Sequence, residues 1–443
     1  MKRSNLTGLK AILRALRSRN YRLFFIGQAI SLIGTWMQTV AASWLAYRLS
    51  NSAFILGIVG FVGDIPSFLF MSIAGVMADR WDKRKILLLT QSMAMLQAFI
   101  LAALSLTGTI RIWHLISLNA FLGLINAFDM PTRQAFVVEM LENKNDLPNA
   151  IALNSSIFNS ARMIGPSIAG ILISTLGEGF CFLINGLSFG AVIAVLLTMK
   201  ITTQSPKAKI MDTFQGLKQG FAYAFGFLPI RAMLLLVALV SLLGMSYAVL
   251  MPVLARDILH GGPNTLGFLM ASSGSGALIA AIYLAARRSV LGLGRMIPLS
   301  LCMFSVSIIC MALSRNLILS AMLMFIAGFG VMTQVASSNT LIQTIVEEDK
   351  RGRVMGIYTM CFRGIAPFGS LLAGTLASRL GAPNTLLLGG IVCLLGALWF
   401  FRTLPEIRKL IQPIYIKAGI IPEIAQGINP EPEVSIQREN LKK

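Results

Sequence analysis

The amino-acid sequence predicts an all-α membrane protein of twelve transmembrane helices, and three observations carry that prediction. Only 13% of the 443 residues are charged and 56% are hydrophobic, whereas a soluble domain carries about 25% charged residues. Charge-free runs recur at 23–47, 86–110, 179–199, 232–255 and 380–401, each close to the roughly 20 residues a helix needs to cross the hydrocarbon core. Lipid also admits a closed β-barrel, but barrel strands alternate over segments of about ten residues. The third observation is the placement of the basic residues between the runs.

Apolar runs and turn chemistry place helices at 22–47, 54–78, 86–107, 112–130, 149–175 and 180–199, then at 231–252, 265–286, 296–314, 317–338, 355–377 and 384–403. Glycine-rich breaks at 108–109, 177–179, 261–264 and 381–384 separate several of them. With the N-terminus inside, 31 of the 38 Lys and Arg residues fall in inside segments, 5 in outside loops, and Arg162 and Arg363 within spans. That bias predicts a multi-pass protein of the bacterial inner membrane with both termini in the cytoplasm. It also accounts for the net charge of +20 without a nucleic-acid partner.

Five regions follow. Residues 1–21 are an N-terminal segment in which Leu6, Leu9, Ile12, Leu13 and Leu16 alternate with basic residues, as in an amphipathic helix on the inner leaflet. The apolar run after it is too long for a signal peptide. Residues 22–199 and 231–403 form two six-helix bundles, 200–230 the central loop, and 404–443 a polar, proline-rich tail expected to be mobile. The five cysteines lie in apolar spans with no metal-binding spacing, so no metal site or cofactor is expected.

The halves echo each other. Arg162-Met-Ile-Gly-Pro166 returns 201 residues later as Arg363-Gly-Ile-Ala-Pro367, and the same offset carries Gly75 onto Gly276. A parallel repeat of six helices is the simplest account.

Charges within spans point to the site. Asp64 lies about ten residues into the second helix, and Arg162 and Arg363 lie deep in the fifth and eleventh. Such a charge costs roughly 2.5–3.5 kcal/mol at the bilayer centre, so it faces a partner or a wet cavity. Pro66 frees a carbonyl and bends the helix beside Asp64. Two readings stand: Asp64 carries a coupling proton that an arginine holds and releases, or it forms a structural ion pair. Gln28, Ser31, Thr35 and Gln38 recur at a spacing of three to four on the first helix, as one cavity-facing stripe would, and Thr333, Gln334 and Ser337 form a similar stretch on the tenth. Interhelical hydrogen bonding would use the same residues.

After the second helix the chain reads Gly75-Val-Met-Ala-Asp79-Arg80-Trp81-Asp82-Lys83-Arg84-Lys85, with Asp129 and Arg133 placed to pair with it from the fourth helix. Holding the loop inside would need no more than its positive charge. The pattern resembles the signature loop of the major facilitator superfamily, matching at Gly75, Asp79, Arg80, Lys83 and Arg84, with Asp82 where that family usually has glycine. The resemblance covers residues 20–403. It implies two six-helix halves in contact through helices two, five, eight and eleven, a substrate surrounded by helices one, four, seven and ten, and a charge network that latches the outward-facing state.

Stretches 19–25, 34–38, 79–84 and 153–166 resemble the bacterial enterobactin-exporter-like branch, and Gly165, Pro166 and Gly170 match its antiporter motif in part. The resemblance implies proton-coupled export of an amphipathic small molecule, a siderophore or drug, by alternating access. A lipid or lysophospholipid translocator of the same superfamily is the alternative. No catalytic constellation or nucleotide-binding loop supports an enzyme, and a monomer is expected.

Overall fold

In the computed structural model the described residues are 13–199, 213–245, 247–287, 289–417 and 419–421. Among them twelve helices are long and apolar enough to cross a bilayer. In the first half these are α1 (Arg19–Ser50), α2 (Ala53–Arg80), α3 (Lys83–Leu106), α4 (Ile112–Met140), α5 (Leu147–Thr175) and α6 (Glu178–Thr198). The second half has α7 (Leu228–Ile258), α8 (Pro263–Ala286), α9 (Leu293–Leu313), α10 (Leu317–Ile345), α11 (Glu348–Leu380) and α12 (Ala382–Lys417). The described residues contain no strand.

Each half packs around its own interfaces, and the halves meet where α5 crosses α8 and α2 crosses α11. Missing side chains make both crossings possible. A Cβ on Gly267 would stand 2.5 Å from the Pro166 carbonyl, and one on Gly374 would stand 2.7 Å from the Gly57 Cα. Without a hydrophobic drive between helices in lipid, such close backbone contact supplies the attraction. An even number of spans puts both chain ends on one side of the bundle, the termini side. Both glycine crossings lie toward the other side.

The helices overrun their expected ends. α4 continues to Met140 and so places Asp129 and Arg133 one turn apart on a single face. α10 continues to Ile345, which moves Thr333–Ser338 from a helix end into its interior. The tail expected from 404 is corrected over its first part: α12 remains helical to Lys417, because Leu404, Ile407 and Ile411 recur on one buried face past Pro405. Residues 422–443 lie outside the described residues.

Within the expected central loop, Thr213–Gly226 form a helix beside the start of α11. There Arg353 donates to Gln219 Oε1 (3.0 Å), and Lys350 Nζ stands 4.5 Å from the Tyr223 ring centre. The leaflet helix expected at the N-terminus falls largely on residues 1–12, outside the description. The part that is described, Arg14–Arg17, is a short 3₁₀ turn held to the α4–α5 connection. Arg14 pairs with Asp146 (2.5 Å), and the Ala15 amide donates to Asn149 Oδ1 (2.9 Å).

Three π-helical turns interrupt the second half, at Val240–Gly244 and Leu254–Ile258 in α7 and at Met360–Gly364 in α11. Such turns concentrate at functional sites, and the last carries Arg363.

Candidate functional site

Asp64 and Arg363 face each other across the seam between the halves. Near them Phe368 of α11 makes edge-to-face contacts with both Phe61 (5.9 Å) and Phe68 (6.0 Å) of α2, and a Cβ on Gly364 would stand 2.7 Å from the Phe68 ring. Asp64 is exposed although protein crowds around it. Arg363 is the cation whose charge acts on it, through space and not through a contact ion pair. The guanidinium itself donates to the Met130 sulfur of α4 (2.8 Å), a weak acceptor that leaves most of its donors open.

Behind Asp64, Gly123 of α4 fits against the Gly63 carbonyl and the Pro66 ring, and Ser67 Oγ donates to the Gly123 carbonyl (3.1 Å). Pro66 thus sits where α2 and α4 come closest.

Arg162 does not join the pair. It lies over the Trp36 ring at 5.8 Å, and Trp36 in turn meets Phe158 edge-to-face at 5.7 Å. Gly165 allows this arrangement, since a Cβ there would stand 2.5 Å from the Trp36 Cβ. Gly274 of α8 takes the same role against the Arg162 carbonyl (2.6 Å). Pro367 is buried in the first turn after the π-helical segment of α11.

Asp129 and Arg133 form a buried ion pair within α4. Asp129 also accepts from Thr90 Oγ1 (3.0 Å) and Gln91 Nε2 (2.7 Å) of α3, and Arg133 donates to Gln28 Oε1 of α1 (2.8 Å). Among the described side chains of the charged loop, Lys83 and Arg84 find partners outside this network. Lys83 pairs with Glu139 (2.7 Å), and Arg84 donates to the carbonyls of Leu196 (2.7 Å) and Leu197 (2.8 Å) at the end of α6. Asp82, where glycine was expected, caps α3 by accepting from the amides of Arg84 and Lys85. Arg80 is exposed, and the side chain of Asp79 lies outside the description. In this conformation a Cβ on Gly75 would meet no described atom within 4 Å, whereas Gly276 packs tightly on the Phe325 carbonyl of α10. The 201-residue match of these two glycines is not a structural equivalence.

The polar stripes are buried in this conformation. Gln38 accepts from Asn185 Nδ2 (2.7 Å) and donates to Gln97 Oε1 (3.0 Å), which ties α1, α3 and α6 together. Ser31 is buried, and Thr35 donates to the Ser31 carbonyl (2.9 Å). Thr333 Oγ1, Gln334 Oε1 and Ser337 Oγ are buried without a hydrogen-bond partner among the described residues. Of the expected cavity residues, only Thr35 keeps appreciable exposure.

Sequence reasoning missed the closure on the side opposite the termini. Tyr47 donates to the Asp257 carboxylate, Arg256 donates to Asn51 Oδ1 (2.7 Å) and lies over the Tyr47 ring, and Ser174 donates to Asn264 Oδ1 (3.2 Å). All three bonds join the two halves. Among the described residues, no hydrogen bond between the halves lies nearer the termini side than Arg363 to Met130. The side-chain bonds between the halves thus gather on the side away from the termini.

Twelve spans in two halves, with opposed charges at the seam and side-chain bonds closing one end, define a membrane transporter of the major facilitator type. Solved structures of that type share the fold. The bacterial homologue of the lysosomal transporter Spinster, inward-facing and occupied, superposes with a TM-score of 0.68 at 14% identity, covering 90% of this chain and 98% of that one. The nucleoside transporter NupG superposes with a TM-score of 0.67 at 12% identity, covering 87% and 99%. The model of the transmembrane secretion effector family matches residues 11–415, and the chain belongs to that family.

Relatives include the Staphyloferrin A transporter of Staphylococcus aureus, 28% identical over 86% of this chain and 96% of its own length. The multidrug efflux pump Tap of Mycolicibacterium fortuitum is 24% identical over 85% and 93%. Macrolide efflux protein A of Streptococcus pyogenes is 23% identical over 88% and 98%. The protein is a secondary transporter of small molecules in a bacterial membrane, and not an enzyme.

Proposed function

We propose that the chain exports an amphipathic small molecule, of siderophore or drug-like class, in exchange for protons by alternating access. The observation that carries this reading is that Asp64 on α2 and Arg363 on α11, opposite charges within spans, come to the seam from different halves. A proton on Asp64 cancels its attraction for Arg363, so occupancy of that one carboxyl biases how the halves sit. Trp36, Phe158, Phe68 and Phe368 supply apolar walls suited to an amphipathic cargo. The efflux pumps among the relatives support the direction, and the Staphyloferrin A transporter supports the siderophore class.

The charge bias of 31 basic residues against 5 supports the termini side as cytoplasmic. The present conformation is then open to the cytoplasm, with 22–199 and 231–403 as the halves that rock. Gly75, Asp79, Arg80, Lys83 and Arg84 latch the opposite conformation, with Asp129–Arg133 as a preformed anchor within the first half. The protein works as a monomer.

The test is Asp64→Asn in proteoliposomes. Flux driven by a pH gradient is expected to fall at least about tenfold, the effect of about 1.4 kcal/mol on the coupled step, while substrate exchange without a gradient persists. Unchanged pH-dependent flux would sink the proposal.

A further inference from the structure

On the termini side, α9 and α12 leave a groove of about 420 Å³ lined by Arg295, Leu299, Phe401, Leu404, Pro405 and Arg408. Its walls are apolar and its two cations are exposed. Neither guanidinium has an acidic or hydrogen-bonding partner among the described residues. Glu406 is two positions from Arg408, which turns it to another face of the helix.

The first half shows what an arginine at this place does when it has a partner. Arg84, in the first turn of α3, donates to the carbonyls of Leu196 and Leu197, where α6 is about to end at Thr198. Arg295 stands in the first turn of α9. α6 and α12 both begin just after a glycine of positive φ, Gly177 (88°) and Gly381 (83°). Leu197 and Phe401 each lie 20 residues beyond their glycine and so correspond. In the second half, however, α12 does not stop. It carries Leu404, Pro405 and Arg408 over the place where the α6 carbonyls end, and Arg295 makes no equivalent bond. Two unpaired guanidinium groups thus converge on an apolar groove at the height where helices leave the bilayer.

We propose that this groove binds an anionic phospholipid from the leaflet on the termini side, its phosphodiester between Arg295 and Arg408 and an acyl chain along Leu299 and Phe401. Paired basic side chains beside an apolar cleft at the membrane surface suit such a lipid, and guanidinium forks match phosphate oxygens. The site does not depend on which leaflet is cytoplasmic, nor on the cargo or its coupling.

Phe401→Trp puts a fluorescent reporter on the groove wall. With all five native tryptophans changed to Phe in that variant, the protein is placed in phosphatidylcholine vesicles containing dibrominated phosphatidylglycerol or dibrominated phosphatidylcholine in both leaflets. The anionic lipid is expected to quench this reporter at a lower mole fraction, with apparent affinity falling about fivefold in each of Arg295→Gln and Arg408→Gln. Lys409→Gln, outside the groove, should keep the preference. Equal quenching by the two lipids overturns the proposal, as does a preference that survives in the double variant. Loss of the preference on adding millimolar inorganic phosphate assigns the arginines to a free anion and also overturns it. Native mass spectrometry of the protein with all five tryptophans provides a second readout: phosphatidylglycerol should remain bound to it and not to the double arginine variant.

Discussion

At the scale of single residues, two charges within the spans sit in different surroundings. Asp129 is tied to Arg133, Thr90 and Gln91, so its environment is saturated with donors. Removing one partner of a buried pair leaves the other uncompensated, typically at a cost of about 3 kcal/mol. Asp129→Asn is therefore expected to lower the melting temperature of the purified protein clearly, read by a thiol-reactive or tryptophan unfolding assay. Asp64 has no such set of donors, only the field of Arg363. The double variant Asp64→Asn/Arg363→Gln should then be more stable than the sum of the two single variants predicts, by about 0.5–1 kcal/mol for charges that solvent reaches. Additive losses would show that the two do not act as a pair. The sequence singled out Asp64 and Arg363 because charge in an apolar span is costly wherever it occurs. It could not exclude Arg162, since only the folded seam shows that residue stacked on Trp36.

At the scale of elements, glycine position decides which helices touch. Gly57 with Gly374 and Gly170 with Gly267 close one end of the seam, and both sites forbid a Cβ at the present separation. Gly374→Leu is expected to push α2 and α11 apart there and shift the protein toward the conformation open on that side. Spin labels or cysteine accessibility at the two helix ends would read the shift, and an unchanged distance distribution would contradict it. The existence and order of the twelve spans were legible because hydrophobic run length and loop charge answer to the bilayer itself. Their ends were not, because α4, α10 and α12 continue beyond the apolar run on packing against neighbours, which leaves no mark in hydropathy. Spacing alone could not decide the role of the polar residues on α1: Gln38 satisfies Gln97 and Asn185, a role that helical spacing cannot distinguish from lining a cavity.

For the whole molecule, the contacts between Tyr47, Asn51, Arg256 and Asp257 form a clasp between the halves at the end away from the termini. If the halves rock, this clasp must open in every cycle. Asn51→Cys with Arg256→Cys, in a background lacking the five native cysteines, is expected to arrest transport when oxidised and to recover on reduction. Transport that continues after complete cross-linking would show that this end never parts. The clasp was not legible in advance. Its members are ordinary loop-end residues 205 and 210 positions apart, and nothing local in the sequence links them.

The closed end has a consequence for how this protein tolerates change. A clasp made of side chains can be weakened, exchanged or strengthened by degrees, and substitutions at Tyr47 or Arg256 should produce graded phenotypes. A seal made where side chains are missing admits one letter at each position. In a saturation mutational scan under selection for transport, Gly57, Gly267 and Gly374 should therefore behave as all-or-none sites, and variation would accumulate around them without crossing them.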